Sequence, residues 1–316
     1  MLISRLATFS LLVISAGAAC GQDFPLRTLR IVTSAVGGSG DLLSRFIAQE
    51  IAAPLGQAVI VENRASNIGP EVVAKAPPDG YTLLEGGSAV WLTPLLQDGT
   101  PWDALRDFAP VTLVERSPNV LVVHPSLPVK SVLELIALAR ARPGELNFST
   151  SAPGGSSHLA GELFKSMTGV KIVWVPYKGS AAAAVALMVG EAQLAFSNAG
   201  AVMPLFKAGK LRALAITGTR PSLLVPGLPT VSESGLPGFE AESIDAILMP
   251  ARTPPGIVRR LNQEIVRVLN RPEAKTRLLS MGIEAASSLP EELAALVRSE
   301  SAKWGKLIRQ AGIRLN

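Results

Sequence analysis

The chain has 316 residues, of which 48% are apolar and 17% charged, and carries a net charge of +5. That length suits roughly two globular domains. The basic balance favours solubility and a weak pull on anions. No dense Lys/Arg run or basic patch interleaved with aromatics is present, which argues against nucleic acid. Two histidines and one cysteine show no metal-ligand spacing, so neither metal nor cofactor is expected.

Residues 1–22 read as a secretory signal. Arg5 lies in the first ten residues, Leu11 to Ile14 belong to an apolar core, and Ser15 to Cys20 is a small-residue cleavage region. The core is too short to span a bilayer. Cys20 leaves two alternatives. It is either a lipid anchor or a residue removed or left as a stray thiol. Gly17 stands three before it, where a lipoprotein signal usually has Leu. The mature chain is expected to be exported, soluble and free of disulfides.

The organising stretch is Leu29 to Leu55. A strand-length apolar run, Leu29 to Thr33, meets the loop Gly37-Gly38-Ser39-Gly40. A helix follows, with Leu42, Leu43, Phe46, Ile47, Ile51 and Leu55 at helical spacing. Strand, glycine loop and helix N-terminus form an anion site. A strand at Ala58 to Glu62 follows, then a short helix from Pro70 to Lys75. Tyr81 to Leu84 is a strand that ends in a second glycine loop, Gly86-Gly87-Ser88. Asp107 to Val114 and Val120 to Val123 read as two strands. Ser131 and Glu134 form a capping box for a helix to about Arg142.

Asn147 to Thr150 is a strand leading to a third small-residue loop, Ser151 to Ser157, and a helix from His158 to Thr168. Lys171 to Val175 leads through Pro176 to Ser180 into a helix at 181–189. Ala192 to Phe196 is a strand followed by Ser197-Asn198, and Leu211 to Thr217 is another. Pro221 to Gly238 lacks period and reads as a surface connection. Ser243 to Met249 is the last strand. Three helices close the chain, the final one expected from a capping box at Ser288 and Glu291. These helices have no strands of their own and must pack on a sheet already built. The whole is α/β, and open α/β sheets bind ligands at the carboxyl ends of their strands.

The side chains at those ends leave alternatives open. Ser39 and Ser88 suit helix capping or a ligand hydrogen bond. Asp41 offsets the helix dipole or holds the loop shape. His158 is a capping or buried polar residue, or a ligand contact. Lys178 is solvated or faces the ligand, and Tyr177 suits a packed wall. Asn198 follows a strand, where an amide reaches a ligand. No arginine lies within the four Gly/Ser loops, so backbone N–H groups, hydroxyls and water should hold an anion. No nucleophile–base pair, Walker A or G-x-G-x-x-G is present.

The residues carry a family resemblance. They include Gly37-Gly38-Ser39-x-Asp41, Val61-Glu62-Asn63-Arg64 and Pro78-Asp79-Gly80-Tyr81. Further on are His158-Leu159-Ala160-Gly161-Glu162, Val175-Pro176-Tyr177-Lys178-Gly179, Ala208-Gly209-Lys210-Leu211-Arg212 and Thr253-Pro254-Pro255. In this order they resemble the periplasmic solute-binding proteins of tripartite tricarboxylate transporters, the Bug family, across essentially the whole mature chain. The resemblance implies a two-lobed periplasmic-binding-protein fold of type II with two crossovers between lobes. Lobe one would be 23–118 plus 249–316, and lobe two 119–248. It implies a small carboxylate held in the cleft and passed to membrane transporter subunits by a monomer. The expected ligand-binding residues are Gly37, Gly38, Ser39, Asp41 and Ser88 from lobe one. From lobe two they are Ser151, Ala152, Ser156, His158, Lys178 and Asn198.

The chain departs from the family pattern at several places. Val36 stands for the usual Pro and Gly40 for Thr or Ser. A glycine-rich insert after Arg64 is missing. Pro153 and Gly155 stand where Asn and Ser are usual, and Ser197 stands for Asp. An aromatic pair usual near Ile244 and Asp245 is absent. An extracytoplasmic sensor that presents a small anion to a membrane signalling protein, and an exported α/β enzyme, are the alternative functions.

Overall fold

The computed structural model describes residues 24–34, 36–150 and 154–314. The signal segment with Cys20, and the expected contacts Ser151 and Ala152, lie outside the described residues. Five strands build the first sheet: β1 (Leu29–Thr33), β2 (Val59–Asn63), β3 (Thr82–Gly87), the first part of β4 (Phe108–Val123), and β9 (Glu242–Pro250). Their order is β2-β1-β3-β9-β4. β1 runs parallel to β2 and β3, and β9 runs antiparallel to β3 and β4. The second sheet contains β5 (Asn147–Thr150), β6 (Val173–Pro176), β7 (Leu194–Asn198), β8 (Arg212–Ile216) and the end of β4. Here β5 is parallel to β6 and β7, while β7 and β8 flank β4 antiparallel.

The two strands read between Asp107 and Val123 are one sixteen-residue strand. Arg116-Ser117-Pro118-Asn119 has the composition of a turn, but the chain stays extended because it changes partners there. Pro118 pairs with Glu242 in the first sheet and Asn119 with Asn198 in the second. The return crossing is equally sharp. Ala241 N–H donates to the Thr217 carbonyl at 3.0 Å, in the second sheet, and Glu242 begins the pairing of β9 in the first. This is the two-lobed, doubly crossed α/β fold.

Helices cover the sheets where apolar faces demand it. α1 (Ser39–Leu55) buries Leu43, Phe46, Ile47, Ile51 and Leu55 on the first sheet, whereas Leu42 is exposed. α8 (Pro255–Leu269) adds Val258, Leu261, Ile265 and Val268 to the same core, as expected of a strandless helix. α2 (Gly69–Ala74), α3 (Ala89–Leu96), α4 (Val132–Ala141), α5 (Ser156–Thr168), α6 (Ser180–Met188) and α7 (Ala199–Lys207) complete the connections. α9 (Pro272–Ser280) follows α8. α10 (Pro290–Ala311) packs on α3, α5 and β4, so it touches both lobes. Its start differs by one residue from the expected box. Glu292 accepts the Leu289 N–H at 2.8 Å, while the Ser288 hydroxyl accepts Leu113 N–H from β4 at 3.0 Å.

Gly161 in α5 lies so close to the buried Phe148 ring of β5 that an added Cβ would overlap it. Gly161→Ala is expected to cost about 1–3 kcal/mol in urea unfolding, as overpacking does. Gly200→Ala in α7 meets open space and should instead stabilise by up to about 1 kcal/mol.

Candidate ligand-binding site

Two cavities lie at the carboxyl ends of the strands, one per sheet. The first, of about 160 Å³, is floored by the ends of β1 and β3, the first turn of α1 and β9. Thr33, Ser39, Gly40, Arg64, Ser66, Glu85, Gly87 and Asp245 line it. Its glycine loop is shaped by one carboxylate. Asp41 accepts the Gly37 N–H at 2.9 Å and the Asn63 amide at 2.9 Å, and pairs with Arg45 at 3.0 Å. Asn63 also donates to the Ser34 carbonyl at 2.8 Å. Burial works against the Asp41 charge, but the Arg45, Gly37 and Asn63 hydrogen bonds hold its carboxyl below the ordinary range. Gly37 takes the left-handed φ of +79° that the tight loop requires.

Asp41 is therefore the loop's anchor, and the Gly37 N–H is committed to it. Gly37 and Gly38 do not line the cavity, whereas Ser39 does. Ser88 lies outside the lining as well. Its hydroxyl is buried and has no hydrogen-bond partner among the described residues. Asn63 and Arg64, noted only as part of a motif, prove to be the loop tie and a cavity wall.

The second cavity, of about 60 Å³, is rich in hydroxyls and amides. Ser149 and Thr150 come from β5, Ser156 and Ser157 from α5, Ser180 from α6, and Asn198 from the start of α7. Asn119 of β4 and Ser243 of β9 close it. The N-cap residues of α5 and α6 are Gly155 and Gly179, and neither helix start has a side-chain cap among the described residues. Their first-turn N–H groups thus remain available to an anion. Asn198 accepts the Ala201 N–H at 3.1 Å, which caps α7, and donates to Ser180 at 3.3 Å. Of the expected lobe-two contacts, Ser156 and Asn198 line this cavity.

His158 and Lys178 do not line it. The His158 ring is buried, stacked on Trp174 at 4.0 Å, and accepts the Gly154 N–H at 2.9 Å. Burial, aided by Lys165, pushes its pKa down to about 4, so the ring is neutral at physiological pH. It anchors the loop before α5, the buried polar alternative. Lys178 is exposed.

Strand β9 joins the cavities. Ser243 and Asp245 lie two residues apart, so both project from one face about 7 Å along the strand. Their cross-strand partners on β4 are Ser117 and Glu115. Glu85 completes a group of three carboxyls with Glu115 and Asp245. Burial, then the charge of Asp245, pushes Glu85 up to about 8. The same causes hold Glu115 well above its ordinary value, and burial raises Asp245. No ion pair offsets these three among the described residues. Glu85 also accepts the Thr33 hydroxyl and lies against Gly40, where an added Cβ would come within 2.5 Å of its oxygen. The space a Ser or Thr at position 40 would use holds this carboxyl.

The comparisons with known proteins match this architecture. A family model described as the tripartite tricarboxylate transporter family receptor matches residues 43–313. This chain belongs to that family. Protein BugT of Bordetella pertussis is 36% identical over 321 residues, covering 98% of each chain. Among solved structures, an R. palustris protein with adipate is 38% identical with a TM-score of 0.79, covering 92% of this chain and 99% of that one. MatC from Rhodopseudomonas palustris with bound malate is 30% identical with a TM-score of 0.73, covering 90% of this receptor-family chain and all of that one.

The carboxyl group has a measurable signature. A carboxyl at 4.5 in the unfolded chain and about 8 in the fold stabilises fully below 4.5. That contribution is lost as pH rises through 8. The melting temperature of the ligand-free receptor should therefore fall between pH 5 and 8.5. Glu85→Gln should flatten that fall, as differential scanning calorimetry would show.

Proposed function

We propose that this protein is a periplasmic receptor that captures a small organic carboxylate between its lobes and delivers it to a membrane transporter of the tripartite tricarboxylate type. The observation that carries the reading is the lobe-two cavity. It offers hydroxyls, amides and two uncapped helix starts, and none of its lining residues is acidic. Such a cradle suits one carboxylate group. The adipate and malate of the related structures are of this chemical class.

We divide the chain into lobe one, 24–118 with 242–314, and lobe two, 119–241. The change of sheet supports this division, with the second boundary earlier than the expected 248. Closure is a bend of β4 and β9, driven by contacts a ligand makes with both lobes at once. We assign residues 1–22 to an export signal and the working state to a monomer. We assign binding rather than turnover. The neutral, sequestered His158 offers no base to the serines of the cavity, which supports that choice.

A thermal-shift series with small carboxylates, neutral sugars and alkyl amines tests the reading. A ligand at a hundredfold over its dissociation constant adds about 2.7 kcal/mol. Shifts confined to carboxylate-bearing compounds, recovered chemically unchanged, support it; shifts confined to sugars overturn it. Asn198→Asp keeps an equally good helix cap but sets a charge against the ligand. It should leave the ligand-free melting temperature within about 2 °C and weaken binding by about a hundredfold, by calorimetry.

A further inference from the structure

A third cavity, of about 120 Å³, lies between the first sheet and the helices α3 and α10. Its walls are apolar, with Phe108 of β4, Leu248 of β9 and Val297 of α10 among them, and no acidic residue lines it. It shares no lining residue with either cleft cavity. Leu248 pairs with Pro110, well before β4 crosses at Pro118, so this space stands apart from the cleft.

Two polar side chains that line it lack partners. Trp91 is 2% exposed, and its indole N–H meets no acceptor among the described residues. The other three tryptophans are satisfied. Trp102 donates to the Val90 carbonyl at 2.8 Å, Trp174 to the Thr150 hydroxyl at 2.7 Å and Trp304 to Glu300 at 2.6 Å. A buried donor without an acceptor carries a desolvation cost that a ligand oxygen would relieve. Arg298 is exposed and makes no ion pair among the described residues. Its neighbours one turn away on α10 are Ala294, Ala295, Ser301 and Ala302, so its own helix offers it no acid. Leu105 also lines the cavity and is 56% exposed, which marks the mouth. It is held there by Asp103, which accepts the Leu105 and Arg106 N–H groups at 3.0 and 2.9 Å.

We propose that this cavity is a second ligand site, which takes a small monocarboxylate with an apolar body the size of one ring. The ring fills the apolar space and covers Leu105. One carboxylate oxygen meets the Arg298 guanidinium and the other accepts the Trp91 N–H. An apolar cavity of about 150 Å³ in another protein holds benzene, so a single ring is the right scale. The remaining walls offer nothing to a second charge, which separates this site from the hydroxyl-rich cavity of the cleft. The proposal stands apart from the receptor reading, because it uses none of the cleft residues.

The test is calorimetry on the exported chain with benzoate, benzyl alcohol and benzylamine, which share one ring and differ in charge. Benzoate is expected to bind with a dissociation constant of about 0.1–1 mM, about fivefold or more tighter than the other two. Trp91→Phe keeps a ring and removes the N–H, and should weaken benzoate about tenfold. Arg298→Gln, on an exposed face where folding is not at stake, should weaken it about fivefold. Ala294→Leu fills the space and should abolish binding; circular dichroism verifies that each variant folds. Benzoate affinity retained in Asn198→Asp, which impairs the cleft, supports a separate site. Benzoate lost in Asn198→Asp and unchanged in Arg298→Gln lies in the cleft; that result overturns the second site and leaves the receptor reading standing. Equal binding of the three compounds overturns the carboxylate site, and so does binding of none, which is the outcome for a dry or water-filled cavity.

Discussion

The pairing of β4 with β9 is the constraint on which the rest depends. Among the described strands β4 alone pairs in both sheets, with β9 in the sheet that α1 and α8 cover and with β7 and β8 in the other. Because β4 changes partners between Pro118 and Asn119, the sheets meet without a loop. Their carboxyl ends therefore open toward each other, and β9 is left running along the floor. The period of two on β9 then places Ser243 in one cavity and Asp245 in the other.

Desolvation decides the electrostatics of the two halves, and it decides them differently. In lobe two, the polar groups are neutral hydroxyls and amides, some of them, such as Ser149 and Asn198, hydrogen-bonded within the protein. In lobe one, three carboxyls share a buried face without an ion pair among the described residues. Burial raises all three, the charge of Asp245 raises Glu85 and Glu115 further, and the Glu115 hydrogen bond holds Asp245 lower. Arg116, on the alternate face of β4, is no help to them, because Glu240 and Glu242 bind it on the other side. The floor of the cleft is thus acidic on one face of β4 and ion-paired on the other.

Stability and function also meet in α10. Its Trp304, Leu307 and Ile308 join a core that runs from Leu84 of the first sheet to Phe148 of the second and Phe164 of α5. The hinge bend proposed at β4 and β9 would have to accommodate that helix. Lys303 reaches Glu240 and Glu300 near the crossing, at 3.8 and 3.6 Å. In the proposed closure, ligand contacts would have to outweigh any change in these pairs.

The order of most elements was legible in the sequence, because hydrophobic periodicity and glycine or proline punctuation are local properties; the helices α3 and α7 were not expected. So was the family, through motifs such as Gly37-Gly38-Ser39-x-Asp41; of the residues singled out from the loops, Ser39, Ser156 and Asn198 line the two cavities. The roles of Asp41 and His158 were left as alternatives, since a loop anchor and a ligand contact place the same residue at the same helix start. Only the tertiary structure separated them, by showing Gly37 and Gly154 N–H groups already held. The continuity of β4 through Pro118 was likewise hidden, because turn-forming composition is local and strand partners are not. Glu85, Glu115 and Asp245 stand far apart in sequence, each with an ordinary strand neighbourhood. Their coupling exists only where three strands bring them to one buried face, and no spacing along the chain encodes that.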